Sequence, residues 1–108
     1  MIKRKTLDRH LDRIEAEANA LGVHLRTGIL GTTGITIETI ERRSGKPGTG
    51  AQTMFALCTF ADAEQLAISV YANEGHPTLI AYYTQFGFEI DPDKCDEAML
   101  RRLPLPQS

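Results

Sequence analysis

Residues 35–42 carry the β-branched pattern of a strand and lead into Gly45-Lys46-Pro47-Gly48-Thr49-Gly50. Beyond this glycine-rich stretch, residues 51–65 repeat apolar side chains at helical spacing, with Met54, Phe55, Leu57, Cys58 and Ala61 on the predicted buried side. Residues 66–72 return to a β pattern. Strand, glycine loop, helix and strand thus close as one β-loop-α-β unit, the helix supplying the long connection that such a crossover needs.

The other segments build around that unit. Across residues 6–21, Leu7, Leu11, Ile14, Ala18 and Leu21 fall on one face of an amphipathic helix, with Thr6 as a candidate cap and Gly22 as its stop. Residues 23–30 read as a strand, Gly31-Thr32-Thr33-Gly34 as a turn, and residues 35–42 as the antiparallel partner. In that partner Ile35 and Ile37 share a face, whereas Ile40 falls on the other if the pleat is regular. Either a β-bulge shifts the phase, or Thr39 is simply the inward residue. After Asn73-Glu74-Gly75-His76, Pro77 opens a helix that runs to Phe86 and ends at Gly87. Residues 88–90 start a strand, Asp91-Pro92-Asp93 breaks it, and residues 97–103 form a last short strand. The predicted class is α+β, with an N-terminal helix, a hairpin, and β-loop-α-β and α-β elements on a mixed sheet.

At 108 residues the chain is expected to form a single domain, 1–108, with an N-terminal helix in 1–22 and a tail at 104–108. Such a length buries roughly two-thirds of the surface of the unfolded chain, which is enough for a core without metal or disulfide staples. Motor ATPases and barrel enzymes need more chain. No apolar run approaches the roughly 20 residues of a membrane span, and the start is charged, so a soluble cytoplasmic protein without a membrane partner is expected. Cys58 and Cys95 are neither a spaced metal pair nor a disulfide framework, and read as reduced thiols. His10, His24 and His76 have no metal spacing, so no metal is expected. The formal net charge is −2, which gives no general case for nucleic acid, and Lys3-Arg4-Lys5 reads as a solvated end. The charge is uneven, however: residues 1–50 carry a surplus of +3 and residues 51–108 one of −5, so the basic groups crowd the half with the glycine loop.

Gly48 and Gly50 sit where a strand ends and a helix begins, so unpaired N–H groups and the positive end of the helix dipole converge there on space free of side chains. Arg42, Arg43 and Lys46 add positive charge to this anion site. A magnesium-nucleotide loop would require Lys and Ser/Thr where Ala51 and Gln52 stand, and a dinucleotide fingerprint would require glycine in place of Thr53. A purely structural glycine turn stays open.

Gly48-Thr49-Gly50, after a strand and opening a helix, resembles motif A of the GNAT acetyltransferases, whose pattern is Arg/Gln-x-x-Gly-x-Gly/Ala. Leu79-Ile80-Ala81-Tyr82-Tyr83-Thr84-Gln85-Phe86-Gly87-Phe88 resembles the second signature of that family, an aromatic or leucine, a tyrosine, three variable residues and Gly-Phe. The order and separation of the two match over residues 23–103, and the similarity is greatest to very small phage-type members, an anti-CRISPR acetyltransferase among them. The chain departs from the pattern at Gly45, where Arg/Gln is usual, at Pro47, which removes an N–H, and at His76, where asparagine is frequent. It also lacks the first strand and one early helix of a full-length member.

The resemblance implies an N-acetyltransferase that holds acetyl-CoA where the strands at 35–42 and 66–72 splay apart. The pantetheine arm would pair with the backbone of Ile40, Glu41 and Arg42, and the pyrophosphate would lie over Lys46, Gly48, Thr49, Gly50, Ala51 and Gln52, with Arg43 nearby. Tyr83 takes the position of the general acid that protonates the departing thiol, and Tyr82 that of a packing residue. Glu38 and Glu41 are the candidate bases for the acceptor amine, which the open front suggests is a lysine of a partner protein. Both tyrosines also fit one apolar face with Leu79 and Phe86, so a pure core role stays open. The rival functions are a non-catalytic CoA-binding or partner-binding protein of the same fold, and a structural module in which both motifs are chance turns.

Overall fold

The computed structural model describes residues 3–31, 34–44, 47–71, 77–90 and 99–105, leaving aside the side chains of Leu30, Arg42 and residues 77–79. Its elements are α1 (Arg4–Ala20), β1 (Val23–Leu30), β2 (Gly34–Arg42), α2 (Thr49–Ala63), β3 (Ala67–Tyr71), α3 (Pro77–Thr84), β4 (Glu89–Ile90) and β5 (Met99–Arg102). They form the expected α+β arrangement, a five-stranded mixed sheet of order β1-β2-β3-β5-β4.

Helix α1 buries Leu7, Leu11, Ile14 and Ala18, the stripe read from the sequence. It begins earlier than Thr6, because the Leu7 N–H bonds the Lys3 carbonyl at 2.9 Å and burial of Leu7 holds the first turn without a side-chain cap. His10 is half-buried, its ring 5.1 Å from that of Phe60. The helix stops at Gly22, whose φ of +85° is the left-handed conformation that glycine adopts without penalty. The Gly22 carbonyl then accepts the N–H groups of Arg43 and Ser44 at 2.8 and 3.0 Å, tying the exit of β2 to the end of α1. A Cβ on Gly22 would collide with the Ser44 carbonyl oxygen, so Gly22→Ala is expected to cost about 2–4 kcal/mol in a urea unfolding experiment.

The phase slip in β2 is a bulge. Arg26 pairs with Thr39 and Thr27 with Ile37, which leaves Glu38 as the extra residue. Ile40 thereby comes opposite Leu25, on the same face as Ile37 and Ile35, and packs against the core; Thr39 is not the inward residue. Strand β2 runs parallel to β3 only from Gly34↔Ala67 to Ile37↔Val70, so the two strands part where the bulge begins.

One sheet face carries Ile35, Ile37, Ile68, Val70, Leu100 and Arg102, all buried. Against it lies α2, which starts at Thr49, two residues before the expected position, with Gly48 left-handed at φ +94°. Its buried stripe is Thr49, Thr53, Met54, Leu57, Cys58 and Ala61. Phe55, expected inside, is 70% exposed, since it sits about 100° around the helix from Met54. Helix α3 ends at Thr84, two residues short of the predicted end, and the chain turns at Gly87 with φ +94°. The Asp91-Pro92-Asp93 break, Cys95 and residues 73–76 lie outside the described residues.

Candidate functional site

Adjacent tyrosines of α3 link the start of α2 to the parting of β2 from β3, Tyr82 reaching the first at Gly50 and Tyr83 lining the second. At the helix start, the N–H of Gln52 bonds the Gly48 carbonyl at 3.0 Å and closes the first turn of α2. Among the described residues, a Cβ on Gly48 would meet nothing within 4 Å, and one on Gly50 only the Tyr82 hydroxyl at 3.6 Å. Ala51 and Gln52 are exposed at this opening, and Thr49 is buried beneath. Arg43 is exposed, its Nε 3.7 Å from the Glu41 carboxylate in a solvent-facing pair. Arg42 ends β2 opposite Val23, and Lys46 lies outside the described residues.

The parted strands enclose a cleft of about 360 Å³, lined by Ile37, Glu38, Thr39, Ile40 and Glu41 of β2, Val70 and Tyr71 of β3, and Tyr83 of α3. A bulge is what opens it, because β2 continues from Glu38 to Arg42 with β1 along one edge and β3 no longer along the other. Glu38 and Glu41 are exposed, and the Glu38 carboxylate leans toward Gly28, 3.5 Å from where a Cβ on that glycine would be.

Tyr83 is 6% exposed, with its ring edge-on to Phe88 at 5.5 Å and to Tyr82 at 5.4 Å. Burial pushes its phenol above the ordinary value of 10.0, and neighbouring Tyr82 adds to the shift, so Tyr83 keeps its proton at neutral pH. It is at once a core residue and a cleft residue. Tyr82 is half-buried and edge-on to Phe86 at 5.3 Å, and its hydroxyl stands 3.6 Å from where a Cβ on Gly50 would be, at the opening of α2. Cys58 is a core thiol pushed up by burial, the opposite of an activated nucleophile.

An ion pair went unread in the sequence. The Arg102 Nη1 and Nη2 donate to the two Asp62 oxygens at 2.7 and 2.9 Å, and its Nε donates to the Phe86 carbonyl at 2.7 Å. The only sequence hint was a single acid, Asp62, inside an otherwise uncharged helix. Among the described residues, no group of His, Cys, Asp and Glu could hold a metal ion, and no helix is long and apolar enough to cross a membrane.

No family model matches the sequence, nor does any curated protein. Among solved structures, the crystal structure of the anti-CRISPR protein AcrVA5 is similar to this chain, with a TM-score of 0.62 and 27% sequence identity over 74% of this chain and 88% of that one. The fold is anti-CRISPR-like.

Proposed function

We propose that this protein is an acetyl-CoA-dependent N-acetyltransferase of GNAT type that acts on an amine of a partner protein. The observation that carries the reading is the coincidence of three features at one place: strands parted at a bulge, a buried protonated tyrosine in the cleft, and a glycine-opened helix start beside it. Among the described residues, the room at Gly48 and Gly50 suits a pyrophosphate, and the edge of β2 from Glu38 to Arg42, which no strand there pairs with opposite β1, suits an amide-bearing arm.

Bound acetyl-CoA supplies an activated thioester. Glu38 or Glu41 takes the proton of the acceptor amine, directly or through water, so that its nitrogen lone pair is free to form the new amide bond. Tyr83 gives its phenolic proton to the sulfur as the carbon–sulfur bond breaks, and solvent restores it. The likeness to an anti-CRISPR protein supports a protein of microbial defence as the bearer of the amine.

The deciding experiment pairs a melting curve with a thiol-release assay. Acetyl-CoA at 100 times its dissociation constant should add roughly 2.7 kcal/mol of stability, and free CoA thiol should appear only when an amine acceptor is present. Binding without thiol release would favour a non-catalytic CoA-binding protein, and no binding would remove acetyl transfer and leave only a partner-binding or structural role. Gly50→Glu should abolish the melting shift in a folded protein, because a carboxylate would occupy the anion volume where little besides the Tyr82 hydroxyl needs to move. Gly48 is the poorer test, since its positive φ strains any replacement.

A further inference from the structure

We infer that the Asp62–Arg102 pair is the positioning device for Tyr83, fixing the end of α3 against α2 and so setting where the phenol stands in the cleft. Its catalytic half rests on the acetyl-transfer reading above, and its positional half does not.

Helix α3 has eight residues, too few to hold itself by local hydrogen bonds. Its C-terminal turn is knotted to Tyr83, whose carbonyl accepts the N–H groups of Phe86 at 2.9 Å and Phe88 at 3.4 Å. From outside the turn, the Phe86 carbonyl is gripped by Arg102 Nε at 2.7 Å. Arg102 is 5% exposed and its other two donor nitrogens are spent on Asp62, so the grip has no slack. Asp62 is the next-to-last residue of α2, the helix that opens at the glycine loop. One helix therefore presents the anion donors at its start and holds the tyrosine helix at its end.

An ion pair kept for stability alone is replaceable by apolar residues at little cost. A planar guanidinium that spans a carboxylate and a main-chain carbonyl is specific in geometry, and lysine cannot copy it. Arg102 is not among the residues lining the cleft, which Tyr83 shares with Glu38 and Glu41 of β2 and Tyr71 of β3, its ring also meeting neighbouring Tyr82. Arg102 is a positioning residue.

The chain has three tyrosines and no tryptophan, so phenolate absorbance follows the tyrosines directly. The titration is run on the full chain as wild type, Tyr83→Phe, Arg102→Lys and the double variant Asp62→Leu/Arg102→Met, with circular dichroism reporting the fold. The step missing in Tyr83→Phe identifies Tyr83. In both clamp variants that step should move to lower pH as the ring loosens from its buried seat. Their kcat should fall ~10-fold or more, with the KM for acetyl-CoA held within about twofold. A folded variant with an unmoved Tyr83 step would overturn the positional inference, and a moved step with undiminished kcat would overturn its catalytic half. If Arg102→Lys does not fold, the double variant, which leaves no buried charge, decides. Wild type that releases no CoA thiol would sink the acetyl-transfer reading, while the titration would still judge the clamp.

Discussion

Tyr83→Phe is expected to lower kcat for CoA release by roughly 10²–10⁴-fold while the protein stays folded and acetyl-CoA still binds. The substitution removes one oxygen from a ring already held by Phe88 and Tyr82, so packing is kept and only the proton is lost. Burial holds the Tyr83 phenol above its ordinary value, so the acid is in its donating form throughout the neutral range. Tyr82→Phe serves as the control. Its hydroxyl lies over Gly50 rather than among the cleft residues, so kcat should hold and any change should appear in the KM for acetyl-CoA. A folded Tyr83→Phe protein with undiminished kcat would remove Tyr83 from the mechanism and leave solvent to protonate the sulfur.

Asp62→Ala is expected to destabilise the fold by about 3–5 kcal/mol, because Arg102, 5% exposed, would be left as a buried charge without its partner. The same variant also removes the 2.9 Å bond that the Leu105 N–H donates to the Asp62 carboxylate. The hydrogen bonds from Arg102 hold the Asp62 carboxyl below its ordinary value of 3.8. A depressed folded-state value means that the stabilisation is fully present above the unfolded value. It fades as pH falls through the lower folded one. Wild type should therefore lose stability in acid below about pH 4, with Asp62→Ala showing a flatter dependence there. Urea unfolding at neutral and acidic pH measures both. Equal slopes in the two proteins would show that the pair carries no pH-linked stability.

Much of this molecule was legible from side-chain order. Helix α1 declared its buried face because Leu7, Leu11, Ile14 and Ala18 repeat at a spacing only a helix brings to one side. The slip between Ile37 and Ile40 is visible because a strand has a period of two, but the order of side chains leaves a bulge and an inward Thr39 equally open, and only the register against β1 decides for the bulge. Phe55 was misread for the converse reason: in a helix apolar nearly all round, periodicity does not say which apolar side chain is left out.

The chain by itself determined its elements, its mixed sheet and the residues that could serve as site groups, since those follow from local periodicity and from where glycine and proline interrupt it. Only the tertiary structure decided which of those groups meet. It set Tyr83 into the gap between β2 and β3, stood Tyr82 over Gly50, and joined Asp62 to Arg102 across forty positions of sequence. Such pairings depend on how layers pack and strands register, and spacing along a chain does not encode the distance between residues that the fold brings together from far apart.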